Sequence, residues 1–411
     1  MLYFKNTDLA TTYHVSLRTV LNWIEAAKEG KLDLDLYTYN DRHYVANTTK
    51  NIAKIGQIVT DRKKYRNKRG AKIVTPVPAF YEVYDRQQVF DIIFNLDFYR
   101  EIPFQYTYFN GGAEYWEKYT QRLTTENSPN LLSATQKLLA MNEDYIDNLL
   151  DKYDRVNVID LGVGNGVPAK SILNHLLVRG ILGRYVAIDI SGEMLQLAKA
   201  NVKEWFGDQV DFEGHILDFS HDRFIDLLAN DYMRNDSRRS VNLVLCFGGT
   251  LSNFRTPDTA LQAIRDSMSP TEDILLLPRR QDTESSRRYF DFRIGEELPR
   301  LDPQARSIVD MLNIDEAYYD AETGYDQDQS SRYIRIRLNV ALTLKFAFGE
   351  ESRCVEFNKG DEILLWRSWH VTTGDIVSQL NRNGFDVLQV SQTEDQEYLL
   401  SVSRVRSSSQ R

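Results

Sequence analysis

The sequence predicts an α/β protein built on a mostly parallel sheet wound with helices on both faces. Three observations predict it. Short apolar, β-branched runs (VNVIDL, RYVAIDI, QVDFEGHI, VNLVLCF and DILLLP) alternate with segments of helical length. A glycine-rich turn follows the first run and leads into a helix in VNVIDLGVGNGVPAKSIL, Val156–Leu173. Acidic residues recur where the runs end, on the edge of such sheets that takes ligands.

Bulk composition narrows the class. The 411 residues suffice for two domains, or for one large domain with an appendage. The chain is 42% hydrophobic and 27% charged, ordinary for a globular protein. No apolar run reaches the roughly 18 residues of a membrane span, so no membrane partner is expected. The opening MLYFKNTDLATTY meets Lys5 and Asp8 too early for a signal peptide, and a cytoplasmic location is expected. Two cysteines, Cys246 and Cys354, suit a reducing compartment. Neither has metal-ligand company, so no metal is expected, and Cys246 reads as a buried thiol. The net charge of −9 hides an asymmetry. Residues 1–75 carry 14 Lys and Arg against 7 Asp and Glu, which leaves −16 on the remainder.

Residues 1–72 read as a helix-turn-helix unit with a basic linker. Asp8 can cap a short helix through Leu9 and Ala10, His14-Val15-Ser16 forms a turn, and Ser16 caps a second helix. Leu17, Val20, Leu21 and Ile24 recur at helical spacing, and Gly30 ends the run. Arg18, Thr19 and Asn22 are then offered outward. LYTYNDRHYVA follows as a hairpin around Asn40-Asp41, with Arg42 and His43 near its tip. This order resembles the small winged-helix domains of the MerR and excisionase type, whose wing touches DNA phosphates. The resemblance implies DNA as a candidate partner, through Arg18, Thr19, Asn22 and Arg42. An appendage for dimerisation or packing is the competing reading, and a dimer stays open. The basic run DRKKYRNKRGAK, Asp61–Lys72, is either a solvated linker or a further phosphate contact.

The rest divides into four stretches. Residues 73–150 open at Pro76 and Pro78, a stiff boundary, and continue as an aromatic-rich helical segment expected to cap the sheet. Residues 151–278 hold the alternating strands and helices. Residues 279–370 break that rhythm with a charged excursion, then IRIRLNVALTLKFAF and ILLWRSWHV read as antiparallel strands completing the cap. Residues 371–411 return to the sheet with a hairpin in DVLQVSQTEDQEYLLSVSRV and end in a frayed tail.

The glycine turn carries the first chemistry. Gly162, Gly164 and Gly166 are present, but Val167 stands where a dinucleotide fingerprint needs its third glycine. Asp160 lies two residues before the first of them. The combination resembles motif I of S-adenosylmethionine-dependent methyltransferases, whose donor has no pyrophosphate to place on a helix N-terminus. In that reading Asp160 orients the donor's ammonium, and Pro168 suits the first helical turn. Asp189 ends the second run and accepts both ribose hydroxyls, while Ser191 caps the next helix. Asp218 and Phe219 end the third, the acid meeting the adenine amino group and the ring packing on the base. Expected together are a class I methyltransferase sheet of Rossmann type, S-adenosyl-L-methionine as cofactor and S-adenosyl-L-homocysteine as product.

The fourth run narrows the reaction. LCFGGTLSNF, Leu245–Phe254, lacks the Asn/Asp-Pro-Pro-aromatic motif of many DNA and protein-glutamine methyltransferases. It resembles instead the G-S-T-x-G-N-F signature of the histidine Nα-methyltransferase family of the ergothioneine pathway. FNKGDEILLWRSWHVT and FQYTYFNGGAEYWEKY resemble two further segments of that family. The resemblance runs patchily from about Val77 to Val405 and leaves the helix-turn-helix unit outside. It implies Asn253 as the amide that holds the substrate's α-amino and carboxylate region, since an amide both donates and accepts. It also implies Tyr108 as a substrate or donor contact and Ser368 as a hydrogen bond to the side chain. Trp366 departs from the pattern by standing where the family has a glutamate that recognises imidazole. A lost carboxylate there speaks against histidine and for a flatter, more apolar side chain or a stacked cation; a core tryptophan is the competing role. His370 replaces a lysine and reads as a surface residue. Arg279 and Arg280 replace a glycine-x-aspartate and read as a solvated loop, with carboxylate binding as the alternative.

The resulting expectation is an N-methyltransferase acting on the amine of an amino acid or amino-acid-derived small molecule. No residue is named as base, because the methyl is already activated by positive sulfur and the protein mainly aligns the nucleophile. A DNA-binding regulator that uses a methyltransferase-like body to sense S-adenosylmethionine or a metabolite is the alternative.

Overall fold

A computed structural model describes residues 3–13, 15, 17–39, 42–66, 71–109, 111–125, 130–229, 239–270, 272–288, 301, 303–349 and 351–407. Its strands are β1 (Leu36–Tyr39), β2 (Arg42–Val45), β3 (Lys72–Val74), β4 (Arg155–Leu161), β5 (Leu182–Asp189), β6 (Phe212–Ile216), β7 (Ser240–Leu245), β8 (Ile274–Arg280), β9 (Tyr319–Asp326), β10 (Ser331–Leu338), β11 (Leu342–Phe348), β12 (Glu351–Phe357), β13 (Glu362–Trp369), β14 (Phe385–Gln392) and β15 (Tyr398–Val405). The chain divides into two compact units. The first takes in residues 1–102, 309–320 and 336–364, the second residues 103–308, 321–335 and 365–411. Among the described residues no helix is long and apolar enough to cross a membrane.

The first unit begins with helices Asn6–Thr12 and Leu17–Lys28, the β1–β2 hairpin and helix Thr49–Arg66. Leu9, Val20, Trp23, Ile24, Leu34, Val45 and Ile55 form their shared core. The buried amide of Asn51 ties this core to the hairpin, accepting from the Asp35 N–H and donating to the Asp35 and Ala46 carbonyls. Three sequence readings change here. Asp8 lies inside the first helix, whose cap position is Lys5 with no side-chain bond. Leu17 and Leu21 stay about half exposed, at 45% and 48%, while Trp23 turns inward with Val20 and Ile24. Asp61 to Arg66 extend a helix rather than a linker. His14, Ser16, Asn40 and Asp41 lie outside the described residues. The same unit holds a second, three-stranded sheet ordered β12–β11–β3, in which β3 pairs parallel to β11.

The second unit is organised by a seven-stranded sheet ordered β14–β15–β8–β7–β4–β5–β6. Strands β8, β7, β4, β5 and β6 run parallel, and β15 lies antiparallel to both of its neighbours. Side chains alternate across it, as the pleat requires. Val156, Val158, Leu243, Leu245, Ile274 and Leu276 pack on one face against helices Leu131–Met141, Glu143–Leu150, Lys170–Val178 and Gly192–Phe206. Ile159, Leu161, Val244, Cys246, Leu275 and Leu277 pack on the other against Pro257–Ser267 and Thr373–Arg382. Coverage on both faces explains why these strands read as continuous apolar runs. All their carboxyl ends point to one edge, where the turn after β4, Asp189 and the residues after β6 and β7 meet.

Candidate active site

The glycine turn is folded tightly onto that edge. The Gly162 and Val163 N–H groups both donate to the Ile188 carbonyl, at 2.8 and 3.2 Å. Gly162, Gly164 and Gly166 all take positive φ, a conformation that side chains disfavour. Two of them are also crowded. A Cβ on Gly162 would lie 2.9 Å from Thr250 Oγ1, and one on Gly164 would lie 2.9 Å from Trp116 Nε1. Asn165 anchors the turn from outside, donating to Glu117 at 2.6 Å and accepting at its carbonyl from Asn201 at 3.0 Å. Pro168 then stands in the short 3-10 turn Val167–Ala169 that leads into the following helix.

The three acids take different roles. Asp160 is buried beneath the turn and accepts from the Tyr185 hydroxyl at 2.7 Å; it does not line the cleft. Burial raises its pKa to about 7, against the opposing effect of that hydrogen bond. Asp189 does line the cleft. Its Oδ1 accepts from the Ser191 N–H and its Oδ2 from the Gly164 N–H, so the carboxylate fixes the turn and is itself fixed. Burial raises its pKa to about 6. Ser191 caps helix Gly192–Phe206 through the Met194 N–H. Asp218 is half-buried, and Ser220 holds its Oδ1 through both N–H (3.0 Å) and Oγ (2.5 Å).

Between these groups lies a cleft, partly open to solvent. Of the residues read from the sequence, Gly162, Gly164, Asp189, Asp218, Phe219 and Tyr108 line it, and Gly166 does not. Gln105, Trp116, Met194, Leu217, Thr250 and Phe254 line it as well and were missed. Trp116 stands on helix Gly112–Thr125 within the same segment as Tyr108, so an aromatic four residues beyond a glycine pair was the available signal. A run of aromatic contacts covers this side. Trp116 meets Tyr108 edge-on at 5.9 Å, Tyr108 meets Phe104 at 5.3 Å and Phe104 meets Trp366 at 6.2 Å. Burial and the Asp189 charge push the Tyr108 hydroxyl well above its ordinary range, so it stays protonated.

The acceptor-side residues are spread more widely. Asn253 ends the short helix Thr250–Asn253, half-buried between two cleft-lining residues, and its amide makes no hydrogen bond among the described residues. Trp366 and Ser368 lie on β13, half-buried, and neither lines the cleft. The Arg332 guanidinium lies over the Trp366 ring at 5.2 Å. Two readings are corrected. His370 is buried, not on the surface, and burial with the nearby Arg280 holds its pKa down at about 3. Arg279 is not in a solvated loop, because β8 runs through Arg280 and Arg279 is 1% exposed. Of the outward residues of the first unit, Asn22 is exposed and Thr19 half-buried, while the side chains of Arg18 and Arg42 are outside the described set. Among the described residues no group of three or more His, Cys, Asp or Glu is arranged to hold a metal ion.

A family model described as histidine-specific methyltransferase, SAM-dependent, matches residues 88–286, just under half of the chain. No curated protein matches. The fold is similar to several solved structures at low identity. A S-adenosylmethionine-dependent methyltransferase from Clostridium acetobutylicum shares 11% identity at a TM-score of 0.39, over 72% of this chain and 100% of that one. A SAM-bound amino pentose methyltransferase from Micromonospora echinaspora shares 12% at 0.32, over 70% and 96%. Magnesium protoporphyrin IX methyltransferase from Synechocystis shares 9% at 0.36, over 72% and 96%. Likenesses this distant add nothing beyond the strand order already described. That order, with its last strand antiparallel, is the Rossmann-like sheet of class I methyltransferases.

Proposed function

We propose that this chain, a SAM-dependent methyltransferase, methylates the amine nitrogen of an amino acid or amino-acid-derived small molecule, with a side-chain pocket altered from that of histidine Nα-methyltransferases. One observation carries the reading. Asp189, Asp218, Phe219 and the crowded glycines converge on one cleft, and the free amide of Asn253 stands beside it. The cleft suits S-adenosylmethionine. Positive φ and the missing Cβ atoms at Gly162 and Gly164 leave backbone open to a close ligand. Asp189 is held ready to accept ribose hydroxyls. Asp218 has one oxygen occupied by Ser220 and one left for an adenine amino group, against which Phe219 and Leu217 would pack.

When bound, the donor supplies a methyl group activated on a sulfonium. The chain's own tasks are then orientation and exclusion of water. Asn253 would hold the acceptor's amino and carboxylate region, and the protonated Tyr108 hydroxyl would donate to it, placing the nitrogen lone pair in line with the methyl. Asp160 acts from below, through Tyr185 and the turn, as a positioning residue. Trp366, already stacked under Arg332, replaces the family's carboxylate with an apolar wall, and Ser368 follows on the same strand. No side chain is assigned as base. Purified protein incubated with labelled donor and a pool of amino acids should transfer label to a small acceptor. Tight donor binding without any acceptor would overturn the enzymatic reading and favour a sensor.

A second reading has one observation of its own. The first unit joins two short helices, a hairpin and a helix running into the basic stretch after Asp61, an order suited to DNA contact through Arg18, Thr19, Asn22 and Arg42. A gel shift tests it. Neutralising Arg62, Lys63, Lys64 and Arg66 should weaken binding of duplex DNA and flatten its salt dependence.

A further inference from the structure

The order of the strands lays the cleft out from end to end. β6, β5, β4 and β7 lie side by side. Asp218 and Phe219 after β6 therefore mark the adenine end, Asp189 at the tip of β5 the ribose, and the glycine turn after β4 the amino-acid end of a bound donor. That last station lacks obvious partners for an α-carboxylate. Among the described residues no Lys or Arg lines the cleft, and Asp160 is buried beneath the turn. The amides of the turn are engaged within the protein. Gly162 and Val163 donate to the Ile188 carbonyl, Gly164 to Asp189, Gly166 to the Val163 carbonyl and Val167 to Asn165 Oδ1. A turn so occupied makes no anion cradle of the kind glycine loops often supply.

One polar hydrogen at this station is unengaged. Trp116 lines the cleft with the pyrrole edge of its indole turned to Gly164. The position a Gly164 Cβ would take lies 2.9 Å from Nε1, 3.5 Å from Cδ1 and 3.8 Å from Cε2. That N–H has no acceptor among the described residues. An indole nitrogen donates one bond and accepts none, and when shielded from water it usually finds a partner. Trp369 does so, donating to the Phe254 carbonyl at 2.7 Å. The ring is also held in place. The Trp116 carbonyl accepts from Thr120 Oγ1 at 2.8 Å, and Tyr108 and Tyr119 flank the indole at 5.9 and 5.4 Å. The next residue, Glu117, accepts from Asn165 Nδ2 at 2.6 Å and from Gln121 Nε2 at 2.9 Å. The helix is thus fastened to the turn one residue away from the indole.

We infer that the Trp116 indole N–H is the hydrogen-bond donor for the α-carboxylate of bound S-adenosylmethionine. A neutral donor suits this place. It favours the anion without adding a cation beside the sulfonium, and its bond to a charged acceptor is stronger than one between neutral groups. The helix Gly112–Thr125 then completes the donor site and does not merely cover it. The inference rests on the methyltransferase reading, and it can be tested without turnover.

The test compares S-adenosylhomocysteine with its decarboxylated analogue, S-adenosyl-3-thiopropylamine, by calorimetry on the full chain. Wild type should bind the amino acid form more tightly. Trp116→Phe keeps an aromatic ring and removes the N–H. It should weaken S-adenosylhomocysteine by about ten- to a hundredfold and leave the amine within about twofold. A second readout needs no substitution in the cleft. The chain has five tryptophans, and with 15N-labelled indoles one N–H signal should move downfield with S-adenosylhomocysteine and stay in place with the amine. That signal should be missing from Trp116→Phe; should this variant fail to fold, Phe variants at Trp23, Trp205, Trp366 and Trp369 assign it by elimination. Equal wild-type affinity for the two ligands, a Trp116→Phe loss that is absent or the same for both, or a moving signal that belongs to another tryptophan would each overturn the contact and spare the cleft. Wild type that binds neither ligand removes the donor cleft itself, and the contact with it.

Discussion

Replacing Gly164 by alanine tests the donor cleft at its tightest point. The residue sits at φ +54°, and an added Cβ would lie 2.9 Å from Trp116 Nε1. The left-handed backbone alone costs a non-glycine residue about 1–2 kcal/mol. Relief of the clash must come from Trp116, because Gly164 itself is pinned by its N–H to Asp189 at 3.1 Å. Moving that indole disturbs its edge contact with Tyr108 and its tilted contact with Tyr119, pairs worth about 0.5–1.5 kcal/mol each. The sum is about 2–5 kcal/mol, which predicts donor binding weaker by about 30- to 4000-fold if the loop relaxes when empty. Gly180→Ala is the matched control. It has φ +71° and nothing within 4 Å of the added Cβ, so it should lower stability and leave binding unchanged. Calorimetric titration with S-adenosylhomocysteine reads both. A Gly164→Ala protein that binds within threefold of wild type would refute the picture of a backbone cradle closed by Trp116.

Protonation should act with opposite signs on folding and on binding. Asp160 and Asp189 have pKa values raised to about 7 and about 6 by burial, so the folded protein keeps protons that the unfolded chain releases. Stability should therefore fall as pH rises from about 4 to about 7, and Asp160→Asn should flatten that slope and raise Tm at pH 8. Donor affinity should instead drop as pH falls below about 6, where Asp189 can no longer accept from ribose hydroxyls; affinity flat from pH 5 to 8 would count against that role. Asn253→Ala should reduce methyl transfer by about a hundredfold while donor affinity stays within about twofold, read by turnover and calorimetry side by side. Ser220→Ala frees the tethered oxygen of Asp218 and should weaken donor binding by only about three- to tenfold, a loss confined to adenosine-containing ligands.

The sheet and its ligand edge were legible because both faces of each strand are covered. Runs such as VNVIDL therefore have no polar alternation to confuse them, and an acid interrupting one, as at Asp189, stands out. The antiparallel strands of the charged region were harder. β12 buries only Val355 and Phe357, and β9 buries only Tyr319 and Gly324, so neither carries an alternating pattern strong enough to read. Leu17 and Leu21 fit a helical stripe, yet the core of that unit closes on Trp23 instead, a choice made by the neighbouring elements and not by the helix. Trp116 reaches the cleft from a helix outside the sheet, which no local pattern encodes. Arg279 was misread because two arginines and a glutamine look solvated on paper; pairing of β8 with β15 extends the strand and takes the first of them inside.

The position of β15 has a consequence for biosynthesis. It is the neighbour of β8, with Arg280 facing Tyr398 and Ile274 facing Arg404, yet the ribosome makes it only after the whole stretch 281–397. Until then β8 offers an open ladder of amide groups beside the apolar run Ile274–Leu277, and both layers of side chains lack Leu399, Leu400 and Val402. A nascent chain stalled in that interval presents a strand-sized adhesive edge. Chaperone demand and the insolubility of fragments ending short of Tyr398 follow from the weave of this sheet, whatever the protein methylates.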